Sequence, residues 1–284
     1  MKKVIVMALA AAFICGCEKP VSDGLGELEE NAGSGIYRFS IDMGGGFTTR
    51  GDMTADGTEM TDLWVFDYMG GECKQSVILT PMSAEWGEPS LTLSVGEHTL
   101  YFVASRGDGP DVDENEGTII WDTPKDTFAG ELSLAVTGGG GTHSVTLHRI
   151  ATKMKVSVLD LVPDGAAMLS VTPETWYFGY NYVTGEAVGE QKKERTVEIP
   201  SAYIGTSRKL AASFFGISDD AEWVTDVDVK ACSANGTVMG TASIKDAPFL
   251  RNRVSEFSGN LFNGQGTMDL TLDGEWSDSY TGSW

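Results

Sequence analysis

Leu63-Trp64-Val65-Phe66-Asp67-Tyr68 is followed by a Gly70-Gly71 pair and then by Ser76-Val77-Ile78-Leu79. Two runs of β-branched and aromatic residues around a glycine turn predict a β-hairpin. The same pattern spreads in both directions. Upstream, Ile36-Tyr37-Arg38-Phe39-Ser40-Ile41-Asp42 alternates, with Tyr37, Phe39 and Ile41 on one face of a strand. Downstream, Leu91 to Val95 and Thr99 to Ala104 flank Gly96-Glu97-His98, which predicts a second hairpin. Glu131 to Val136, glycines 138–141 and Ser144 to Val158 continue the series.

The second half repeats the pattern. Trp176 to Tyr182 is aromatic and alternating, and Val224 to Ala231 and Val238 to Ile244 flank Asn235-Gly236, a strong short-range hairpin signal. Val254 to Phe262 and Met268 to Leu272 close the chain, and no amphipathic helix of ten residues stands out. Short strands at regular spacing with glycine turns predict an all-β chain of sandwich domains. At roughly 100–200 residues per domain, the 284 residues predict two of them, at 36–150 and 151–284.

Composition narrows the function. Hydrophobic residues are 41% and charged residues 21%, enough apolar material for cores and too little charge for a disordered polyelectrolyte. The 35 glycines against 9 prolines, with no Gly-X-Y period, fit tight turns and exclude collagen. A net charge of −21 without a basic stripe excludes a nucleic-acid partner, which needs cations to displace counterions.

At the N-terminus, Lys2 and Lys3 precede an apolar run from Val4 to Ile14, too short to span a bilayer and suited to a secretory signal. It ends in Ile14-Cys15-Gly16-Cys17, which resembles a bacterial lipobox with Cys17 as the acylated (palmitate-type) cysteine. The expectation is a lipoprotein signal peptide at 1–16, a polar flexible tether at 17–35, and attachment to the outer membrane through lipid. Loss of Lys2 and Lys3 takes the charge from −21 to −23. Cys73 and Cys232 then remain and are read as free thiols packed as small hydrophobes.

Catalytic patterns are missing. His98, His143 and His148 have no paired-ligand spacing, and there is no Gly-x-Ser-x-Gly elbow or P-loop. The chain is therefore read as a non-enzyme that calls for no cofactor and no metal. Three features invite a binding role. Asp111-Val112-Asp113-Glu114-Asn115 imitates the start of a calcium loop, but the sixth position is Glu116 and the glycine comes one residue late at Gly117, which favours a solvated acidic loop. Trp176, Phe178, Tyr180 and Tyr182 would line one strand face; such a row could stack on sugar rings as a glycan platform, but sandwich cores are built from the same residues and core packing is favoured. Arg-Gly-Asp occurs at 50–52 and 106–108, a weak motif for integrin binding.

Several segments, in order, carry a resemblance. They are the Cys17 lipobox, Thr48-Thr49-Arg50, Leu63 to Tyr68, Gly96 to Ser105, Leu147-His148-Arg149-Ile150-Ala151-Thr152-Lys153-Met154-Lys155-Val156, and Arg251-Asn252-Arg253-Val254-Ser255 leading into Ser258 to Phe262. Together they resemble the fimbrillin-type lipoproteins of Bacteroidales, subunits of surface fimbriae (type V pili). The resemblance implies two tandem transthyretin-like Greek-key β-sandwiches, surface display at the cell outer membrane, and other fimbrial subunits and a host or bacterial surface receptor as partners.

It also implies cleavage of shaft precursors after an arginine that matches Arg50, at the Arg50–Gly51 bond. Cutting there would release the Tyr37–Ile41 strand and leave an apolar groove with unpaired edges, a template for a strand from another subunit. The alternating segment Thr267 to Leu272 is the candidate donor, but the tail beyond it is short and rich in Gly, Ser and Asp. That favours an anchor- or minor-type subunit, with its first strand in place. The alternative is a lipid-anchored glycan- or calcium-binding surface lipoprotein outside any polymer.

Overall fold

Alternating apolar residues over short spans, punctuated by glycine turns, leave sheet packing as the way to bury them. The computed structural model describes residues 33–43, 54–55, 58–263 and 268–275. Its strands in the first half are β1 Ser34–Asp42, β2 Thr54–Ala55, β3 Thr58–Glu59, β4 Asp62–Met69, β5 Glu72–Leu79, β6 Ser90–Ser94 and β7 Gly96–Ser105. Then come β8 Asp108–Asp113, β9 Thr118–Thr123, β10 Thr127–Val136, β11 Gly141–Thr146 and β12 His148–Arg149. The second half holds β13 Ala151–Val158, β14 Ala166–Pro173, β15 Trp176–Asn181, β16 Glu186–Gln191 and β17 Arg195–Glu198. It closes with β18 Ala211–Ile217, β19 Trp223–Ser233, β20 Val238–Phe249, β21 Arg253–Gly259 and β22 Met268–Glu275. The one helical element among the described residues is a 3-10 turn, Ser201–Tyr203.

Two β-sandwiches result. In the first, the sheet β11-β1-β6 covers the sheet β12-β10-β7-β4-β5, with Phe39 and Leu93 from one layer packed on Leu63, Val65 and Phe102 from the other. In the second, β18-β13-β21-β22 covers β17-β14-β19-β20, with Val156 and Phe257 packed among Leu169, Val229 and Ile244. A further sheet, β16-β15-β9-β8, takes two strands from each half of the sequence: Gly179 to Asn181 pair with Ile120 to Thr118. Its rings pack on the outer face of β4 and β7, where Trp64, Phe66, Tyr68 and Val103 meet Trp121, Tyr180 and Tyr182. β4 is therefore apolar on both faces because both faces are covered.

The hairpins at Gly70-Gly71 and Asn235-Gly236 form as the sequence predicts, with Gly70, Gly71 and Gly236 at positive φ. The hairpin expected at Gly96 does not. β6 pairs with β1, while β7 pairs with β4 and β10, so the chain crosses from one layer to the other at Gly96. This puts Leu91 and Leu93 across the core from Leu100 and Phe102. Gly96 has φ 147°, and a Cβ there would lie 2.3 Å from Met69 Cε. The expected run from Ser144 to Val158 likewise breaks into β11, β12 and β13, each in a different sheet, with Leu147 and Ile150 buried at the breaks. The C-terminal strand β22 is paired within its own chain, Gly259 to Ser255 opposite Met268 to Leu272.

Candidate functional site

β1 is the middle strand of its sheet. It runs parallel to β11, with Tyr37 to Asp42 opposite Gly141 to Thr146, and antiparallel to β6, with Ser34 to Arg38 opposite Ser94 to Ser90. Past the end of β6 it keeps bonding: Phe39 N–H donates to Pro89 O at 2.9 Å and Ile41 N–H to Gly87 O at 3.2 Å. Tyr37, Phe39 and Ile41 all point inward and are buried, while Ile36 and Arg38 face out. Phe39 packs edge-on against Phe102, with centroids 5.4 Å apart, and Tyr37 stacks on His143 at 5.9 Å. Burying three such side chains contributes about 5–9 kcal/mol, as much as the whole net stability of many domains.

The wall beside β1 is pinned by a buried polar cluster. His98, on β7, directs Nδ1 to Asp67 Oδ1 at 2.6 Å and Nε2 to Ser94 O at 2.9 Å. Both ring nitrogens therefore face acceptors, and the histidine ties the last residue of β6 to β4 on the opposite layer. Gln75 Nε2 donates to the second oxygen of Asp67 at 3.1 Å. The sequence shows His98 inside a strand but cannot show Asp67 as its partner, since they pair across two strands.

A second polar cluster lies where the first sandwich hands over to the second. Arg149 clasps Asp126 with two bonds, Nε–Oδ1 at 2.8 Å and Nη2–Oδ2 at 3.1 Å, and donates from Nη1 to Asn252 Oδ1 at 3.1 Å. Its guanidinium also lies 4.7 Å from the Phe128 centroid. Asn252 holds φ 57° and donates its N–H to Ala151 O. Arg251 donates to Ser218 O and Gly185 O and pairs with Asp220 at 2.8 Å. Burial pushes the Asp126 carboxyl up against the opposing pull of Arg149, Arg106 and Lys153. Burial also pulls Lys153, 1% exposed, down to about 8. The segments around Arg149 and Asn252 thus meet at one joint, 103 residues apart in sequence.

The remaining sequence candidates are placed as follows. Cys17, Arg50 and Gly51 lie outside the described residues. Trp176, Phe178, Tyr180 and Tyr182 are all buried, at 1%, 1%, 7% and 4% exposure, and their faces are taken by other side chains. Tyr182 stacks on Phe66 at 4.2 Å and shares a hydroxyl contact with Tyr68; burial, then that contact, pushes its phenol up. Trp176 donates Nε1 to Phe215 O at 3.0 Å and meets Phe249 edge-on. These rings form a core and offer no platform to a sugar. The calcium-like residues Asp111 and Asp113 sit on β8, and Asp113 Oδ1 accepts the N–H groups of Asn115 and Glu116, closing a turn that Gly117 completes at φ 70°. Among the described residues no three His, Cys, Asp or Glu side chains converge as a metal site. Cys73 and Cys232 are unbridged and half-buried, less enclosed than the sequence suggested. Burial, with Glu114 adding, pushes the Cys73 thiol up to about 11. In the second Arg-Gly-Asp copy, Gly107 is packed against the Trp121 ring, while Asp108 is exposed and pairs with Lys125 at 3.0 Å.

Residues 112–283 match the profile of a family described as a family of unknown function (DUF6562). No curated protein matches the sequence. Among solved structures, the chain is similar to a candidate adhesin from Bacteroides ovatus ATCC 8483, at 10% identity over 82% of this chain and 88% of that one, with a TM-score of 0.55. It is similar to a candidate adhesin from Bacteroides thetaiotaomicron VPI-5482, at 12% identity over 86% and 97%, with a TM-score of 0.51. A candidate polysaccharide-binding protein (DUF1812) from the same strain aligns at 8% identity over 85% and 96%, with a TM-score of 0.52. At these identities the likeness is one of fold.

Proposed function

The chain belongs to the family of unknown function DUF6562, and we propose that it is a surface-exposed fimbrial subunit of the anchor or minor type. It contributes to fimbria assembly and cell adhesion by strand complementation. Lipid on Cys17 holds it at the outer membrane, and its partners are other fimbrial subunits and a host or bacterial surface receptor. The observation that carries the reading is the seating of β1. The strand nearest the tether fills a slot between β6 and β11, with Tyr37, Phe39 and Ile41 as its inward plugs. The shared fold of two candidate Bacteroides adhesins supports a role in adhesion.

The chemistry follows from the pairing. A cut at Arg50–Gly51 would free β1 and leave a gap one strand wide, with unpaired backbone groups on both sides and an apolar floor. A replacement strand must run parallel to β11 and antiparallel to β6, and must present apolar side chains at every second residue. While the bond is intact, β1 keeps the slot closed and the lipid attached, as an anchor requires. Gel analysis of outer-membrane extract with and without boiling tests this. An anchor gives a single lipidated band in both lanes, whereas a heat-sensitive ladder of this chain alone would mark it as a self-polymerising shaft unit and overturn the anchor assignment.

A further inference from the structure

A cavity of ≈ 280 Å³ lies between the end of β9, the β7–β8 corner, and the strands β17 and β18. Its walls carry Arg106, Lys125 and Arg195, with Ser213, Phe214 and Phe215 between them. Three cations around one hollow stand out in a chain with 41 acidic and 20 basic residues. Lys125 is matched by Asp108 at 3.0 Å. Among the described residues, Arg106 and Arg195 make no ion pair. Asp126, whose carboxyl feels the Arg106 charge, is already clasped by Arg149.

Arg195 is the sharper observation. Its guanidinium stacks 4.8 Å from the Phe178 centroid, and its Nε is buried without a hydrogen-bond partner. A buried donor without an acceptor is costly, and more so on a charged group. An arginine fork held against a ring is pre-organised for a carboxylate or sulfate taken in the two-pronged manner. The space exceeds what a bare small anion fills, and Ser213 and Phe215, which share one face of β18, line it with a hydroxyl and an apolar ring.

We propose that this cavity binds a small organic anion the size of one acidic sugar ring, its carboxylate or sulfate held between Arg195 and Arg106. The ring body lies against Phe215, and Ser213 meets a hydroxyl. The site stands apart from the β1 slot, so it can hold or fail without touching the fimbrial assignment.

The test is calorimetric titration of the purified full chain with sodium glucuronate, and separately with glucose and with acetate at matched ionic strength. The same titrations are run on Arg195→Gln and Arg106→Gln. Saturable glucuronate binding is expected, with glucose silent, acetate at least tenfold weaker, and both variants weakened tenfold or more. Acetate binding as tightly as glucuronate would overturn the sugar-sized ligand. Absent binding, or equal binding in the wild type and both variants, would overturn the site itself. Should Arg195→Gln fail to keep the wild-type melting temperature, Arg106→Gln decides.

Discussion

Gly35 and Gly140 approach so closely that neither position has room for a side chain. A Cβ on Gly35 would lie 2.2 Å from the Gly140 N, and one on Gly140 would lie 2.3 Å from Ile36 O. Gly140 also holds φ 80°. The glycine loop before β11 thus closes over the start of β1, with the Tyr37 hydroxyl donating to Gly138 O at 3.4 Å. Gly35→Ala and Gly140→Ala are each expected to cost about 1–3 kcal/mol. Differential scanning calorimetry should show the melting point falling by several degrees. Gly139→Ala meets no atom within 4 Å and should cost less, its penalty coming from the positive φ alone.

The plugs of β1 differ sharply from their neighbours. Phe39 is fully buried and Ile36 is 61% exposed. Phe39→Ala is expected to destabilise by about 3–5 kcal/mol in urea unfolding, and Ile36→Ala by about 0.5 kcal/mol or less. Equal effects would mean that β1 is not seated by its inward face.

The Asp67–His98 pair holds the layer crossing at Gly96. Removing one partner leaves the other buried without its bond, so Asp67→Ala and His98→Ala should each cost about 2–4 kcal/mol. Because the two act as one unit, the double variant should cost less than the sum. A double-mutant cycle with a coupling energy of about 1–3 kcal/mol checks this.

Hairpins β4–β5 and β19–β20 were legible in the sequence because their information is local: a glycine turn between two alternating runs. Gly96 carries the same local signal, yet the chain changes layers there. What decides is His98 reaching Ser94 O and Asp67, a contact that periodicity does not encode. The aromatic row at Trp176 was readable both as a core and as a platform, since both use alternating rings, with core packing the favoured reading. Burial against Phe66 and Phe249, remote in sequence, settles that it is core. Arg195 gave no local sign at all, because its cavity is assembled from four separate stretches.

Lys153 gives a pH signature. Burial lowers its folded-state value to about 8 from the ordinary 10.5. Between those values the unfolded chain binds more protons than the folded one, so stability rises with pH through that window. The contribution is at its most unfavourable below about pH 8 and is relieved toward pH 10.5. Urea midpoints measured from pH 7 to 10 should rise in the wild type relative to Lys153→Met. Parallel curves would contradict a proton lost on folding at this site.

The central claim is that β1 stays with the chain that made it, seated between β6 and β11. Mass mapping of the N-terminus of the protein extracted from outer membranes tests it most directly. The account predicts a lipidated N-terminus at Cys17 with the Arg50–Gly51 bond intact. A mature chain beginning at Gly51 would show that β1 had been released, and would contradict it.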